Sequence, residues 1–372
     1  MAVDRLAPSG SASAAPRVWL LSAYGGDSHA AWADWLSSEV SGVAWQRYEL
    51  PGRHFRWRIR GNPLSWLDEL PDHAPQAMIA TSMVDLATLR GIRPHLAAVP
   101  TVYYFHENQF AYPVSAQQVH SLEPQIVQVY GALAADALVF NSEFNRSSFL
   151  EGVGDLIRRM PDCKPQGVRE RLAERASVLP VPITPLPPAA ERDPGLIVWN
   201  HRWEYDKAPE HFADAMEALA ATGADFRLAL LGWRPNEPPP ALQRLRERLG
   251  SRIIADGRVP SERYRQLLGS AGVAVSTAHH EFQGLAMLEA VSAGARPLVP
   301  DALCYREQYP SACRYPIDDT RALVERLASW LQHGLPSSPD VSGWTRASLH
   351  KSWQQLVDET VGSADCDVRP LR

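Results

Sequence analysis

VAVSTAHHEFQGLAMLEAVSAGARPLVP, residues 273–300, opens with a short apolar run, passes through a polar turn to Gly284, and continues as a helical pattern that stops near Gly294 before a second apolar run, RPLVP (296–300). Runs that are apolar at every position belong to strands buried on both faces, the situation in parallel sheets covered by crossover helices. The stretch therefore predicts a strand–helix–strand unit. Further runs of the same kind stand at VWLLSA (18–23), AMIATS (77–82), TVYYFH (101–106) and ALVFNS (137–142), and again at LIVWNHR (196–202) and RLALLG (227–232). Between the two sets lies VLPVPITPLPPAAERDPG (178–195), whose prolines deny both helix and central strand.

The prediction is an α/β protein of two Rossmann-like domains facing each other across a cleft. Its parts are a disordered segment 1–16, an N-terminal domain 17–180, a linker 181–195, a C-terminal domain 196–343, and a terminal segment 344–372. In that last segment Trp344, Leu349, Trp353 and Leu356 recur at helical spacing, so the helix is expected to cross back onto the first domain before a tail. A chain of 372 residues exceeds what one core usually fills, which agrees with two domains.

With 37 basic and 42 acidic residues the net charge is −5, so bulk charge does not suit the chain to coating nucleic acid, and any basic surface must be local. Four scattered cysteines (Cys163, Cys304, Cys313, Cys366) show neither C-x-x-C nor zinc-like spacing, as expected of reduced thiols, and no metal is assigned. No segment approaches the ~18 consecutive apolar residues of a membrane span, so a cytoplasmic protein with no membrane association is expected.

Ligands of open parallel sheets bind at the carboxyl ends of the strands, so the residues just after each apolar run carry the chemistry. In HHEFQG, Glu281 and Glu289 stand eight apart, the first in the loop and the second on the helix opened by Gly284. The helical neighbours of Glu289 are Leu285, Ala286, Ser292 and Ala293; none is basic, so its carboxylate wants donors from elsewhere, which a ligand's vicinal hydroxyls supply. A plain surface glutamate is the other reading. In WNHRWEYDK (199–207), Arg202 and Lys207 can converge on a diphosphate, or Arg202 can simply pair with Glu204 or Asp206. The diglycine turn Gly25–Gly26 lacks the G-x-G-x-x-G of dinucleotide folds; it either permits close approach to a phosphate or sugar or simply makes a tight turn. HENQ (106–109) puts His106, Glu107, Asn108 and Gln109 where the third run leaves the sheet, either as a polar set on the cleft-facing edge or with His106 as a satisfied structural histidine. Finally, RHFRWRIR (53–60) alternates Phe55, Trp57 and Ile59 with Arg56, Arg58 and Arg60, the period-two pattern of a strand with one cationic face. That segment is either a charged edge strand or a site where guanidinium groups meet phosphates and a ring stacks on a base.

These motifs carry a resemblance. The Glu281/Glu289 spacing and the Arg202-x4-Lys207 pair are similar to retaining glycosyltransferases of GT-B architecture. HENQ-x-x-YP, NSEFN (141–145), HRWEYDK, STAHHEF-x-G-x-AMLEA and the early YGG…SH resemble the tRNA-queuosine α-mannosyltransferase family, from about Arg17 to the terminal helix. The resemblance implies transfer of mannose from GDP-mannose, with retention, to queuosine at the tRNA wobble position, and no cofactor beyond the donor substrate. It implies that Arg202 and Lys207 neutralise the diphosphate and Glu289 holds the ribose. Glu281 and the backbone of Phe282, Gln283, Gly284 and Leu285 would take the donor sugar, with Gly25 and Gly26 beside the donor and His106 reaching the sugar from the opposite domain. Acceptor contacts would come from Arg56, Trp57, Arg58, Glu107, Asn108 and Gln109, and further basic positions from Arg158, Arg159 and Lys164. The partners implied are queuosine-bearing tRNA and the nucleotide sugar, with no protein partner evident. Three other readings stay open: a GT-B hexosyltransferase with another donor and a small-molecule or glycan acceptor, a non-catalytic RNA-binding module on the same scaffold, and a nucleotide-sugar epimerase, which shares the architecture but converts the donor without any acceptor.

Overall fold

The computed structural model describes residues 14–112 and 121–364. The expectation of disorder over residues 1–16 falls mostly outside that range, and the tail after 364, with Cys366, falls wholly outside it. The first half contributes β1 (Arg17–Gly25), β2 (Ala44–Pro51), β3 (Ala77–Thr81), β4 (Thr101–Phe105), β5 (Ala137–Phe140) and β6 (Ala176–Val178). The second contributes β7 (Asp193–Trp199), β8 (Arg227–Leu230), β9 (Ile253–Asp256), β10 (Ala271–Val275), β11 (Arg296–Pro300) and β12 (Arg314–Tyr315). They form two six-stranded parallel sheets, ordered β2-β1-β3-β4-β5-β6 and β12-β11-β10-β7-β8-β9. Helices cover both faces of each sheet, and β3, β4 and β10 are buried at every position, which is why they read as unbroken apolar runs.

Strand order reverses at β1/β3 in the first sheet and at β7/β10 in the second. Crevices open at such switch points beyond the carboxyl ends of the strands. The Gly25–Gly26 turn, WNHRWEYDK and HHEFQG leave switch-point strands, and HENQ leaves β4, one strand further along the first sheet.

The last helix, Arg346–Gly362, packs on the first sheet and joins its core through Leu349, Trp353 and Val357. Trp353 is fully buried against Trp32, Trp35 and Tyr104, and its indole donates to the Pro180 carbonyl at 3.1 Å. Burying a tryptophan removes about 150–250 Å² of largely apolar surface from water, worth on the order of 4–6 kcal/mol. The helix thus staples the chain's end to its beginning.

One predicted element is overturned. Residues 53–60 do not form a strand; Phe55–Ser65 is a helix. Arg58, Ile59, Asn62 and Pro63 turn inward while Arg56, Trp57 and Arg60 face out, a division with helical rather than alternating period. Over eight residues the two periods overlap, and the arginines mark the solvent side only in part.

Candidate active site

On the donor side, the one-turn 3-10 segment Tyr205–Lys207 delivers Lys207 into the crevice beneath β7 and β10. Its ammonium donates to the His280 carbonyl at 2.7 Å and to Glu281 Oε2 at 3.1 Å, and lies 3.1 Å from Asp206 Oδ2. Burial alone would lower the Lys207 pKa, but the two carboxylates hold it above its ordinary value. Burial would likewise raise the Glu281 carboxyl; the charge of Lys207 prevails and holds it at about 2. Both groups are therefore charged at neutral pH. His201 and His280 beside them are driven by burial, and then by Lys207, down to about 4 and stay neutral. Arg202, half exposed, pairs with Glu204 at 3.2 Å. Gly232 allows the loop after β8 to press on this one: it has φ +95°, and a β-carbon there would stand 2.0 Å from the His201 carbonyl oxygen.

Helix Leu285–Ser292 begins at Gly284, whose φ of +65° and packing on the Tyr305 ring both favour glycine. The start of the helix leaves the amides of Leu285 and Ala286 without intrahelical acceptors. Leu285 itself bridges the cores of the two halves. One turn on, Glu289 is half-buried and accepts from the Tyr264 hydroxyl at 3.0 Å. Burial raises its carboxyl pKa, against the lowering effect of that hydrogen bond. The donor expected from a ligand is thus supplied in part by the protein.

The first half presents His106 and Glu107. The His106 ring stacks on His29 at 4.1 Å and meets Trp32 and Tyr104 edge-on at 4.6 and 4.8 Å, while its Nε2 has no hydrogen-bond partner. Burial, then His29, holds its pKa well below 6.5, so the ring is neutral. Trp353 supports this box from below through Trp32 and Tyr104. Glu107 is half-buried and feels the charges of Arg202, Asp206 and Lys207 from the other half; burial is the main cause of its raised pKa. The two halves therefore converge, with Glu107 facing the cation pair across the cleft. Gly26 caps the first helix with open space around it, and the Gly25 carbonyl accepts from Gly52 N–H at 3.1 Å.

Several predicted site residues have side chains engaged within the fold, although for Phe282 and Gln283 the expected donor contact is through the backbone. Asn108 is fully buried; its amide donates to Asn145 and Ser148, and its oxygen accepts from the Phe110 and Ala111 amides, so it offers nothing to an acceptor. The Gln283 side chain is spent on both backbone groups of Val181, at 3.0 and 2.7 Å, and its carbonyl on Gln308. Phe282 is buried between His280 and Phe144. Arg58 is buried and donates to the Ser65 hydroxyl at 3.4 Å, whereas Trp57 is 59 % exposed and Arg56 is exposed. Arg60 meets Asp85 at 2.6 Å and Glu123 at 3.4 Å, carboxylates brought close by the fold and distant in sequence. Gln109 sits beside Glu107, its side-chain amide 3.4 Å from that carboxylate. Arg158 pairs with Asp155, and the Lys164 ammonium donates to the Arg158 carbonyl.

Other residues at the cleft escaped sequence reasoning. Asp206, the second carboxylate on Lys207, stood inside a quoted motif but was read only as a partner of Arg202. His29 and Tyr112, the latter tilted against His280 with ring centroids 4.3 Å apart, also lie inside those motifs. Tyr264 gave no signal, being one tyrosine on an amphipathic helix.

Two facing parallel α/β sheets with cations and carboxylates at their shared cleft define a glycosyltransferase of GT-B type. The lipopolysaccharide outer core galactosyltransferase WaaB has this fold (TM-score 0.63, 13% identity, 92% of this chain and 99% of that one). So does Anabaena HepE in complex with UDP (TM-score 0.64, 13% identity, 94% and 100%). Residues 17–183 match the family profile described as tRNA-queuosine alpha-mannosyltransferase N-terminal, and residues 195–333 match glycosyl transferases group 1. The tRNA-queuosine alpha-mannosyltransferase of Drosophila melanogaster is 33% identical over 328 residues, 84% of this chain and 86% of the relative. The chain belongs to the tRNA-queuosine alpha-mannosyltransferase family. Among the described residues, no helix is long and apolar enough to cross a membrane.

Proposed function

We propose that this glycosyltransferase moves mannose from GDP-mannose to queuosine in the anticodon of tRNA, with retention of anomeric configuration. Family membership supports the donor and acceptor; the buried Lys207–Glu281 pair, set opposite Glu107 and His106, supports the chemistry. The departing diphosphate gains negative charge as the glycosidic bond breaks. Arg202 swings from Glu204 to meet it, Lys207 exchanges a carboxylate for a phosphate oxygen, and the amides at the start of helix Leu285–Ser292 complete the cradle. Such fixed donors are worth most where water is excluded. With the charge met by protein cations, no metal is required by this reading. Glu289 takes the ribose hydroxyls with the carboxylate oxygen that Tyr264 leaves free, and Glu281 and His106 hold the hexose from opposite sides.

Glu281 is bound to Lys207 and ionised, which suits orientation and charge stabilisation more than covalent attack. Same-face substitution follows, with the leaving phosphate accepting the acceptor's proton. Trapping of a mannosyl ester on Glu281 would contradict it.

The test is mass spectrometry of nucleosides from queuosine-containing tRNA after incubation with GDP-mannose, other GDP-sugars and UDP-hexoses. One hexose added to queuosine from GDP-mannose alone is expected. Transfer only from a UDP-hexose overturns the donor assignment, and donor consumption without any change in tRNA overturns the acceptor.

A further inference from the structure

The sequence motif NSEFN (141–145) has no part in the reaction just derived, yet its five residues touch both halves of the cleft. Towards the first half, the Asn141 amide donates to the His106 carbonyl at 2.8 Å. The Asn145 amide donates to the Phe105 carbonyl at 3.0 Å and to Asn141 Oδ1 at 2.8 Å, and Asn145 Oδ1 accepts from Asn108 at 2.9 Å. These asparagines are buried, so the loop bearing His106 and Glu107 is pinned by bonds that water does not compete for. Ser142 caps the helix Glu143–Arg159 by accepting from the Asn145 amide at 3.0 Å.

Towards the second half, the same helix start is held from across the cleft. Glu307 accepts from the Glu143 and Phe144 amides at 2.9 and 3.1 Å, one through each carboxylate oxygen. The Phe144 ring lies against Phe282, centroids 5.9 Å apart. Phe282 in turn stands edge-on to His280, which Tyr112 of the first half covers. Within residues 280–283, the side chain of His280 packs against Tyr112, that of Phe282 against Phe144, and that of Gln283 is held by Val181, while the Glu281 carboxylate faces Lys207, which also takes the His280 carbonyl.

We propose that NSEFN is a positioning strut: its asparagine end fixes the His106 loop, its Phe144 end fixes the Glu281 loop, and the span between the two sugar-gripping residues is set by the five residues between. Phe144 and Glu307 act through Phe282 and the helix start, and neither touches substrate. The strut is a separate claim that rests on the reading of His106 and Glu281 as the two grips on the donor hexose. Loss of the strut leaves the nucleotide cradle of Arg202, Lys207 and Glu289 intact but lets the hexose grips drift, and a misplacement near 1 Å costs about 10²-fold in rate.

The test compares wild type with Phe144→Ala/Glu307→Ala, with Glu307→Ala alone, whose exposed position spares the fold, and with the conservative Phe144→Tyr. Three readouts are taken: GDP affinity by calorimetry, kcat and KM for GDP-mannose, and the radius of gyration of the ligand-free chain by small-angle X-ray scattering. The expected result is GDP affinity within about twofold of wild type, kcat lowered by about 10- to 100-fold in the double variant and less in Glu307→Ala, near-full activity in Phe144→Tyr, and a larger radius of gyration in the double variant. Unchanged kcat and KM in the double variant overturn the proposal, as does a parallel loss of GDP affinity. Should wild type fail to use GDP-mannose, the donor reading has failed and scattering alone decides the strut: a larger radius in the double variant supports it, an unchanged one overturns it.

Discussion

Replacing Lys207 with methionine removes the one cation that, among the described residues, pairs with Glu281, and the size of the effect follows from what is left behind. The ammonium has three partners, two carboxylates and a backbone carbonyl, and its side chain is 8 % exposed. Methionine fills much of the volume, so the cost is electrostatic: Asp206 and Glu281 become neighbouring carboxylates without a counter-ion. Breaking a buried ion pair from one side costs about 3–5 kcal/mol. The loss should depend on pH with a definite sign. In the native chain Glu281 is held at about 2, so its stabilisation is complete above the ordinary carboxylate pKa and is lost as pH falls towards 2. In Lys207→Met the burial that Lys207 had outweighed raises the carboxyl instead, so the folded variant takes up a proton first and its deficit narrows on acidification. Adding Glu281→Gln to Lys207→Met should recover part of the loss, since one uncompensated charge disappears. Urea denaturation followed by tryptophan fluorescence and circular dichroism, at about pH 7.5 and about pH 5, measures all three variants. A deficit under about 1 kcal/mol at the higher pH, or one that widens on acidification, would refute the reasoning. Transfer should fall by about 10²–10³, as for loss of one fixed donor to a leaving group.

Four other outcomes follow. His201 and His280, held at about 4, are neutral in the fold, so their contribution is complete above pH 6.5 and is lost as pH falls towards 4; urea titrations should show a decline on the order of 3 kcal/mol for each of these two at the acid limit, and His106, held well below 6.5, should add a loss of the same sign. Glu289→Gln should weaken GDP roughly 10- to 100-fold by calorimetry, the worth of a charged hydrogen bond, and Tyr264→Phe less, because it frees the carboxylate without removing it. Trp353→Ala should destabilise by about 3–5 kcal/mol in thermal or urea unfolding and lower transfer beyond its effect on stability, since it undermines the box around His106. Arg53→Ala/Arg56→Ala should weaken tRNA binding in filter assays and reduce the slope of log affinity against log salt by roughly two, while sparing hydrolysis of the donor alone; Arg58→Ala should instead appear as a loss of stability.

The fold was legible where strands are buried on both sides. All eight apolar runs are strands, and the four strands without such a run, β2, β6, β9 and β12, are the four sheet edges. An edge strand has one neighbour and a wetter face, so it lacks the unbroken apolar signature; β9 alternates half-buried with exposed residues along its whole length. Residues 53–60 misled for a related reason, since eight residues of alternating arginine satisfy both a strand and the outer face of a helix.

At the site, Arg202, Lys207, Glu281, Glu289, His106 and Glu107 all gather at the cleft because each follows a strand end, a position readable from the order of runs. What sequence could not separate was a polar residue that faces the cleft from one that braces it. Asn108 and Glu107 are adjacent in one motif, yet the first closes a buried amide network and the second faces the cations, and only the direction of each side chain decides. Tyr264 reaches Glu289 from a separate helix, and no local pattern announces such a contact.

The proposed reaction requires the second half to seize a diphosphate with Arg202 and Lys207 while the first half leans over the attached hexose. A crystal structure of the chain with GDP tests it most directly. The β-phosphate should lie between the Arg202 guanidinium and the Lys207 ammonium, with the ribose hydroxyls on Glu289; a nucleotide bound elsewhere, with Lys207 still closed on Glu281 and Arg202 still on Glu204, would rule out that cradle.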